Sequence, residues 1–192
     1  MAVISIKNKT KSGSLLVGNV GYVPPSFESI QTVTIGSGGA ASITFSSIPQ
    51  TYTHLQIRGI TRSPDASYIA AQFNGDTGTT YSNHAIYAEP GTVVGQANAN
   101  ASNVQISRSN YFASASTMFG SAICDILDYT NTNKYTTTRA LTGNETNGTA
   151  GQAILFSSGN WRNTAAVTSI LIFPTSGNFS QYTQFALYGI KG

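Results

Sequence analysis

The side chains that could serve as general acids, general bases or nucleophiles are few in this chain and lie far apart in it. Of the two histidines, His54 begins one predicted strand and His84 lies inside another. Asp125 and Asp128 lie three residues apart in a third predicted strand, and side chains at that spacing point to opposite faces of a sheet. We therefore expect hydrogen-bonded surface histidines, and no facing carboxylate pair of the kind that glycosidases use.

The single cysteine and the turn carboxylates also favour structural roles. Cys124 is the only cysteine, so no disulfide can form within the chain. It lies in an apolar run at residues 122–127 with no basic neighbour to lower the pKa of its thiol, and we expect a buried apolar side chain. Asp76 follows an Asn-Gly pair in a turn, where a carboxylate caps backbone N–H groups.

No motif of a nucleotide, dinucleotide or calcium site occurs in the sequence. The glycine-rich run at residues 36–39 joins two predicted strands, so it predicts a hairpin turn rather than a phosphate-binding loop. Because no nucleophile, base or carboxylate pair is placed for catalysis, we predict a protein that is not an enzyme. The same residues predict no catalytic site, no metal site and no cofactor.

One segment has the composition of a carbohydrate-binding loop. Trp161 is the only tryptophan, and Asn160 and Arg162 flank it in a run that also contains serine and glycine. An exposed indole can stack on the face of a sugar while neighbouring amides bond its hydroxyls, so these three residues are the candidate glycan-binding site. The competing interpretation is that Trp161 belongs to the core.

The composition is that of a folded, weakly charged protein. Charged residues make up only 9% of the 192 residues, whereas aromatic residues reach 10%. Disordered chains lack aromatics and carry high net charge, so disorder is excluded. Serine, threonine, asparagine and glycine replace the missing charges, which suits a β-rich protein of a large assembly. No segment approaches the roughly 18 apolar residues of a transmembrane helix, so we expect no membrane contact.

From residue 31 onward, short runs of alternating or apolar residues are separated by polar turns. This pattern, without a helical apolar period, predicts about ten strands in an all-β, jelly-roll-like antiparallel β-sandwich. The predicted strands lie at residues 32–35, 42–45, 54–60, 68–73, 81–87, 104–107, 118–129, 134–142, 153–157, 167–173 and 185–190. The segment at 90–103, rich in glycine, alanine and asparagine, predicts a long loop, and a short helix is predicted at 109–115.

Residues 1–30 differ in composition from the β-sandwich domain predicted at 31–192. Adjacent prolines at 24 and 25 favour an extended backbone, so we predict an extended N-terminal arm that anchors the protein to a partner. Its candidate partner-binding residues form two apolar patches and a basic hinge between them: Val3, Ile4, Ile6, Lys7, Lys9, Lys11, Leu15, Leu16 and Val17. The rest of the chain is nearly neutral and lacks the basic face of a nucleic-acid-binding domain. The partner we expect is therefore protein.

Several stretches of the sequence resemble virion structural proteins of tailed bacteriophages. The arm contributes SIKNKTKSGSLLVGN at 5–19 and PPSFESI at 24–30. The first strands contribute ASITFSSIP at 41–49 and YTHLQIR at 52–58, and the chain ends with FALYGI at 185–190. The likeness covers the arm, the first strands and the last strand, and it carries no catalytic residues.

This resemblance implies a virion protein that is made in the host cytoplasm. It implies first a capsid decoration (cement) protein whose arm binds the major capsid protein or another virion protein, and whose body associates with itself as a homotrimer. The alternative is a tail-fibre or receptor-binding component that recognises a host surface glycan.

Overall fold

A computed structural model describes residues 6–9, 15–17, 20–21, 26–64, 67–89, 91–109, 117–145, 147 and 153–192. In these residues there are fifteen strands and no helix, and every strand pair is antiparallel. No helix in this part of the chain could cross a membrane. The predicted all-β, jelly-roll-like antiparallel β-sandwich is confirmed.

Three short strands lie in the N-terminal arm and pair only with one another: β1 (Ile6–Lys9), β2 (Leu15–Val17) and β3 (Val20–Gly21). The other twelve form the body: β4 (Phe27–Thr34), β5 (Ile43–Phe45), β6 (His54–Thr61), β7 (Ser67–Phe73), β8 (Tyr81–Glu89), β9 (Thr92–Ala101), β10 (Val104–Ser109), β11 (Gly120–Leu127), β12 (Thr136–Asn144), β13 (Ala153–Trp161), β14 (Ile170–Pro174) and β15 (Gln184–Ile190).

The body strands form two sheets of unequal size. The large sheet has eight strands in the order β4-β15-β6-β11-β12-β13-β8-β9, and the small sheet has four in the order β10-β7-β14-β5. The small sheet packs on one face of the large sheet and the apolar core lies between them. Phe45, Phe73, Leu55 and Phe185 are fully buried in that core. The strands of the large sheet alternate buried and exposed residues because only one of its faces is covered.

The glycine-rich segment at 36–39 does not form the predicted hairpin. Strand β4 before it pairs with β15 in the large sheet, whereas β5 after it pairs with β14 in the small sheet. The segment therefore crosses from one sheet to the other, and a local bridge between Ala40 and Phe179 guides it. Glycine is still required, since Gly39 has a positive φ of 68° and a Cβ at this position would come within 2.8 Å of the Phe179 carbonyl oxygen.

The loop predicted at 90–103 is also wrong, because this segment contains the ten-residue strand β9, which pairs with β8. Small and amide side chains have low β propensity, and the pairing partner overrides it. The short helix predicted at 109–115 lies outside the described residues except for Ser109, which ends β10. All eleven predicted strands are present, with boundaries that differ by a few residues.

The domain boundary predicted at residue 30 falls inside β4. Residues 27–34 pair with β15 along the strand, so the body begins at Phe27 or before it. Phe27 also stacks on Tyr188 at a centroid distance of 4.7 Å. Glu28 accepts hydrogen bonds from Tyr52 (2.9 Å) and Lys191 (3.0 Å), and these bonds hold its pKa below the usual 4.5.

Candidate protein-binding face

The outer face of the large sheet, which the small sheet does not cover, carries most of the exposed large apolar side chains of the described residues. Along β11, β12 and β13 the side chains facing the small sheet are buried and the alternate ones are exposed. Across the large sheet, seven outward residues are large and apolar, four of them on these three strands, and we call them the apolar face: Ile60, Ile86, Val93, Ile123, Leu141, Ile154 and Phe156.

The strand register places four of these residues in one row across the sheet, which we call the central row. Ile123 lies opposite Leu141, Leu141 opposite Phe156, and Phe156 opposite Ile86. Neighbouring strands are about 4.8 Å apart, so the row spans roughly 15 Å. Their exposed fractions lie between 42% for Ile123 and 55% for Leu141, which leaves about half of each side chain open to a partner.

A second row runs beside the first and contains small residues between large ones. Ile60 lies opposite Ser121, Ser121 opposite Gly143, and Gly143 opposite Ile154. The small side chains leave an open depression there, bounded by Ile60 and Ile154. Side chains of a partner could be inserted into such a depression, which gives shape as well as area to the face.

A second open depression lies at the other end of the apolar face. Its floor is Gly95, which is opposite Ile86 in register, and Ile86, Ala97, Phe156 and His84 line its walls. Both depressions are therefore on the same outer surface, at either side of the central row.

A line of polar side chains borders the apolar face on one side. Arg58 donates to Gln56 (2.8 Å), Gln56 donates to Asp125 (2.8 Å), and Arg139 forms an ion pair with Asp125 (2.6 Å). These groups satisfy one another, so the border is polar without carrying a strong charge. An apolar centre with a polar rim is the usual anatomy of a protein–protein interface.

The N-terminal end of the body contacts Arg58, a residue next to the apolar face. The guanidinium of Arg58 lies 4.9 Å from the ring centroid of Phe27 and 5.4 Å from that of Tyr188. Arg58 is directly opposite Ile123 in register. The first residue of β4 therefore contacts the central row through the Arg58 side chain, while its own backbone is in register with Ile190 and, through it, His54.

The arm residues predicted to bind a partner are only partly within the described chain. Val3, Ile4 and Lys11 lie outside the described residues. Ile6, Lys7 and Lys9 are in β1, and Leu15, Leu16 and Val17 form β2, which pairs antiparallel with β1. The two apolar patches of the predicted arm are thus linked by a strand pair at Ile6 and Val17.

The glycan-binding prediction for Trp161 is wrong, because its indole is buried in the core with an exposed fraction of 1%. It lies at the end of β13, stacks on Tyr81 at 6.3 Å and meets the edge of Phe73 at 5.6 Å. Its Nε1 donates a hydrogen bond to Asp76 (2.8 Å). A sugar ring has no access to this indole face, so the core interpretation holds.

The residues beside Trp161 are engaged within the chain as well. Asn160 is half-buried in β13 and donates a long bond to the carbonyl of Thr136 (3.5 Å). Arg162 is exposed, and it donates to the carbonyl of Thr79 (2.6 Å) and to Asn100 (2.8 Å). The three residues predicted to form one glycan site therefore point to different surroundings.

Asp76 has the capping role that its turn predicts, and it extends this role to the core. Besides Trp161, it accepts hydrogen bonds from the Thr80 hydroxyl (2.7 Å) and the Gly78 backbone N–H (2.9 Å). The bonds from Trp161 and Thr80 hold the pKa of Asp76 below its usual 3.8. The buried Tyr81 hydroxyl donates to the Asp76 carbonyl (3.0 Å), and burial raises the pKa of Tyr81 to about 12.

Of the remaining candidates for chemistry, His54 and Asp128 have structural partners, whereas Cys124 is buried and His84 is exposed. The Nδ1 atom of His54 accepts a hydrogen bond from the Asp128 backbone N–H (2.9 Å), and His84 is exposed on the outer face. Asp128 lies in the turn after β11 with a φ of 48° and pairs with Lys134. The two aspartates therefore do not share a strand as predicted, although they remain apart. Cys124 is buried as predicted, and burial raises the pKa of its thiol to about 12.

The apolar face is a candidate binding surface that the sequence pattern did not predict. The sequence pattern that corresponds to this face lies in the runs 122–124 and 153–156, where apolar residues occupy both faces of a strand. Such runs are typical of strands covered on both faces, so the pattern alone does not indicate that one face is open. Among the described residues, no group of three or more His, Cys, Asp or Glu could hold a metal ion.

In comparisons with known proteins, the chain matches no family model, no curated protein and no solved structure.

Proposed function

We propose that this protein is a structural component of a tailed-phage particle, a capsid decoration protein that binds the major capsid protein and stabilises the head. The observation that carries the proposal is the apolar face with its polar border, on a rigid sheet. Exposed apolar patches of this kind mark interaction sites in soluble proteins. The resemblance of the arm and of the first and last strands to phage virion proteins names the class of partner.

The arm and the apolar face would act on the same partner. The arm joins the body at Phe27, whose ring contacts Arg58, the residue opposite Ile123. Once the arm is bound, the face is held close to the partner, and its effective concentration there is high. Modest contacts at each of the two sites then suffice for stable attachment to a lattice of capsid subunits.

Copy number tests the location in the particle. Quantitative gel analysis of purified particles is expected to give hundreds of copies, because a decoration protein follows the repeated capsid lattice. A number in the tens or lower contradicts the decoration role and favours the alternative, a tail-fibre or receptor-binding component. The buried Trp161 removes the residue that best supported glycan recognition in that alternative.

Placing a carboxylate in the centre of the apolar face is expected to weaken binding to particles. Leu141→Glu and Phe156→Glu should each lower the affinity roughly 30-fold, since a central interface side chain contributes about 2 kcal/mol. Both side chains are about half exposed, 55% and 48%, so the body should remain folded. The measurement is co-sedimentation of the variants with particles that lack the protein.

Tyr182→Glu is the matched control for these two variants. Tyr182 is a large apolar side chain with 67% exposure, and it lies outside the apolar face, in the turn before β15. It receives the same new charge and should bind normally. Normal binding by the Leu141 and Phe156 variants would contradict a role for the apolar face.

A further inference from the structure

Strand β9 forms one edge of the large sheet and lacks the features that usually protect such an edge. Among the described residues it pairs only with β8, and it runs for ten residues, Thr92–Ala101. It contains no charged residue and no proline. A free strand edge presents a row of unpaired N–H and C=O groups, to which another strand can bind.

The other three sheet edges of the described body each have such protection. Strand β5 has only three residues. Strand β4 contains Glu28 and has a register irregularity against β15. Strand β10 contains Arg108 and also has an irregular register. In β9 the irregularity is confined to its end, after Asn98, so residues 92–98 are a regular, uncharged edge.

We propose that β9 is a self-association site, where the β9 strands of two copies pair antiparallel and join two large sheets into one. A twofold axis places the residues nearest to it opposite the same residues of the second copy, so a charge there would face a like charge at close range. A strand with no charge over ten residues avoids this repulsion. The occupant that this edge fits best is therefore a second copy of the chain.

The side chains of β9 suit a twofold centred on Gly95, the midpoint of the regular run. This register places Val93 opposite Ala97 of the second copy, and both are on the outer face. It also places Val94 opposite Gln96, and Thr92 opposite Asn98. Apolar residues thus meet on the outer face. On the other face the Thr92 hydroxyl meets the Asn98 amide, two groups that both donate and accept, and Val94 lies against Gln96. Gly95 at the axis has no side chain that could clash.

The pairing would enlarge the apolar face rather than cover it. A twofold between antiparallel edge strands is perpendicular to the sheet, so the outer faces of both copies lie on the same side. Ile86 and Val93 of the two copies would then connect both apolar faces into one surface. This proposal replaces the homotrimer expected from the resemblance with a twofold pair, and it does not depend on the partner that the apolar face binds.

The mass in solution is the first test. Sedimentation equilibrium at concentrations up to about 1 mM should give a species of twice the 20.2 kDa chain mass. The double variant Val93→Lys with Ala97→Lys sets lysines opposite each other and should shift the protein to monomer. Val93→Lys with Ala97→Glu sets opposite charges together and should restore the dimer. Val93 is 69% exposed, so neither variant should impair folding.

An engineered disulfide tests the register. Residues directly opposite in antiparallel strands have Cα atoms about 4.5–5.5 Å apart, which is within disulfide range. Gly95→Cys should therefore cross-link two copies under oxidation, and a Cβ at this position meets no atom within 4 Å. Ala97→Cys, displaced from its own symmetry mate by four residues, should not cross-link. A monomer or trimer for the unmodified protein would overturn the proposal, as would a dimer that neither set of variants affects.

Discussion

Replacing Trp161 by alanine is expected to lower the free energy of unfolding by about 4 kcal/mol, the typical cost of truncating a large buried aromatic side chain. The indole is 1% exposed and makes ring contacts with Phe73 and Tyr81. Its removal leaves a cavity between the two sheets. It also removes one of the hydrogen bonds that Asp76 accepts, which weakens the turn between β7 and β8.

Further variants separate the contribution of packing to this loss of stability from the contribution of the hydrogen bond. Trp161→Phe keeps an aromatic ring but loses the Nε1 donor, so it should cost less than the alanine variant, about 1–3 kcal/mol. Asp76→Asn should also destabilise, since the carboxylate accepts three bonds, from Trp161, Thr80 and Gly78. Tyr182→Ala, at an exposed position, should leave the stability within about 0.5 kcal/mol of its starting value.

Urea unfolding followed by far-ultraviolet circular dichroism is the suitable measurement. Trp161 is the only tryptophan, so both Trp161 variants lose tryptophan fluorescence and it cannot be used to compare them with the original protein. An alanine variant as stable as the original protein would show that the indole is not part of the core. The glycan-stacking interpretation of Trp161 would then have to be reconsidered.

Strand positions in this fold are predictable from the sequence because one covered face imposes a two-residue period. The alternation in β12 and β13 shows this directly, with buried residues at every second position. Which strands share a sheet is not predictable in the same way. The segment at 36–39 has a hairpin composition, yet the sheet to which β5 belongs is set by its partner β14, about 125 residues away in sequence.

The candidate sites were harder to predict because composition alone does not distinguish a turn from a close contact between sheets. Gly159, next to Asn160, suggested a loop around Trp161. In the structure it lies inside β13, and a Cβ there would come within 3.0 Å of Val104 in the small sheet. The glycine permits close packing. The apolar face was missed because strands that are apolar on both faces indicate burial on both, and here one face is open.

Deleting residues 1–25 is expected to lower the affinity for particles at least about 100-fold, the gain typical of a second linked contact, while the body stays folded. The body keeps all twelve of its strands in this truncation, including the whole of β4. Deleting residues 1–30 instead should also destabilise the body. That deletion removes Phe27 from Tyr188 and Glu28 from Tyr52 and Lys191. Circular dichroism and co-sedimentation with particles measure the two effects separately.

Two sets of substitutions show whether the arm binds protein or nucleic acid. Changing Lys7, Lys9 and Lys11 to glutamine should have a small effect, because we expect the apolar patches to make the main contacts. Changing Leu15, Leu16 and Val17 to serine should reproduce most of the loss seen on deleting residues 1–25. If the lysine changes abolish binding in a salt-dependent way and the serine changes do not, the arm binds a polyanion. If the truncated body binds with full affinity, the arm is not the anchor and the apolar face alone would carry the attachment.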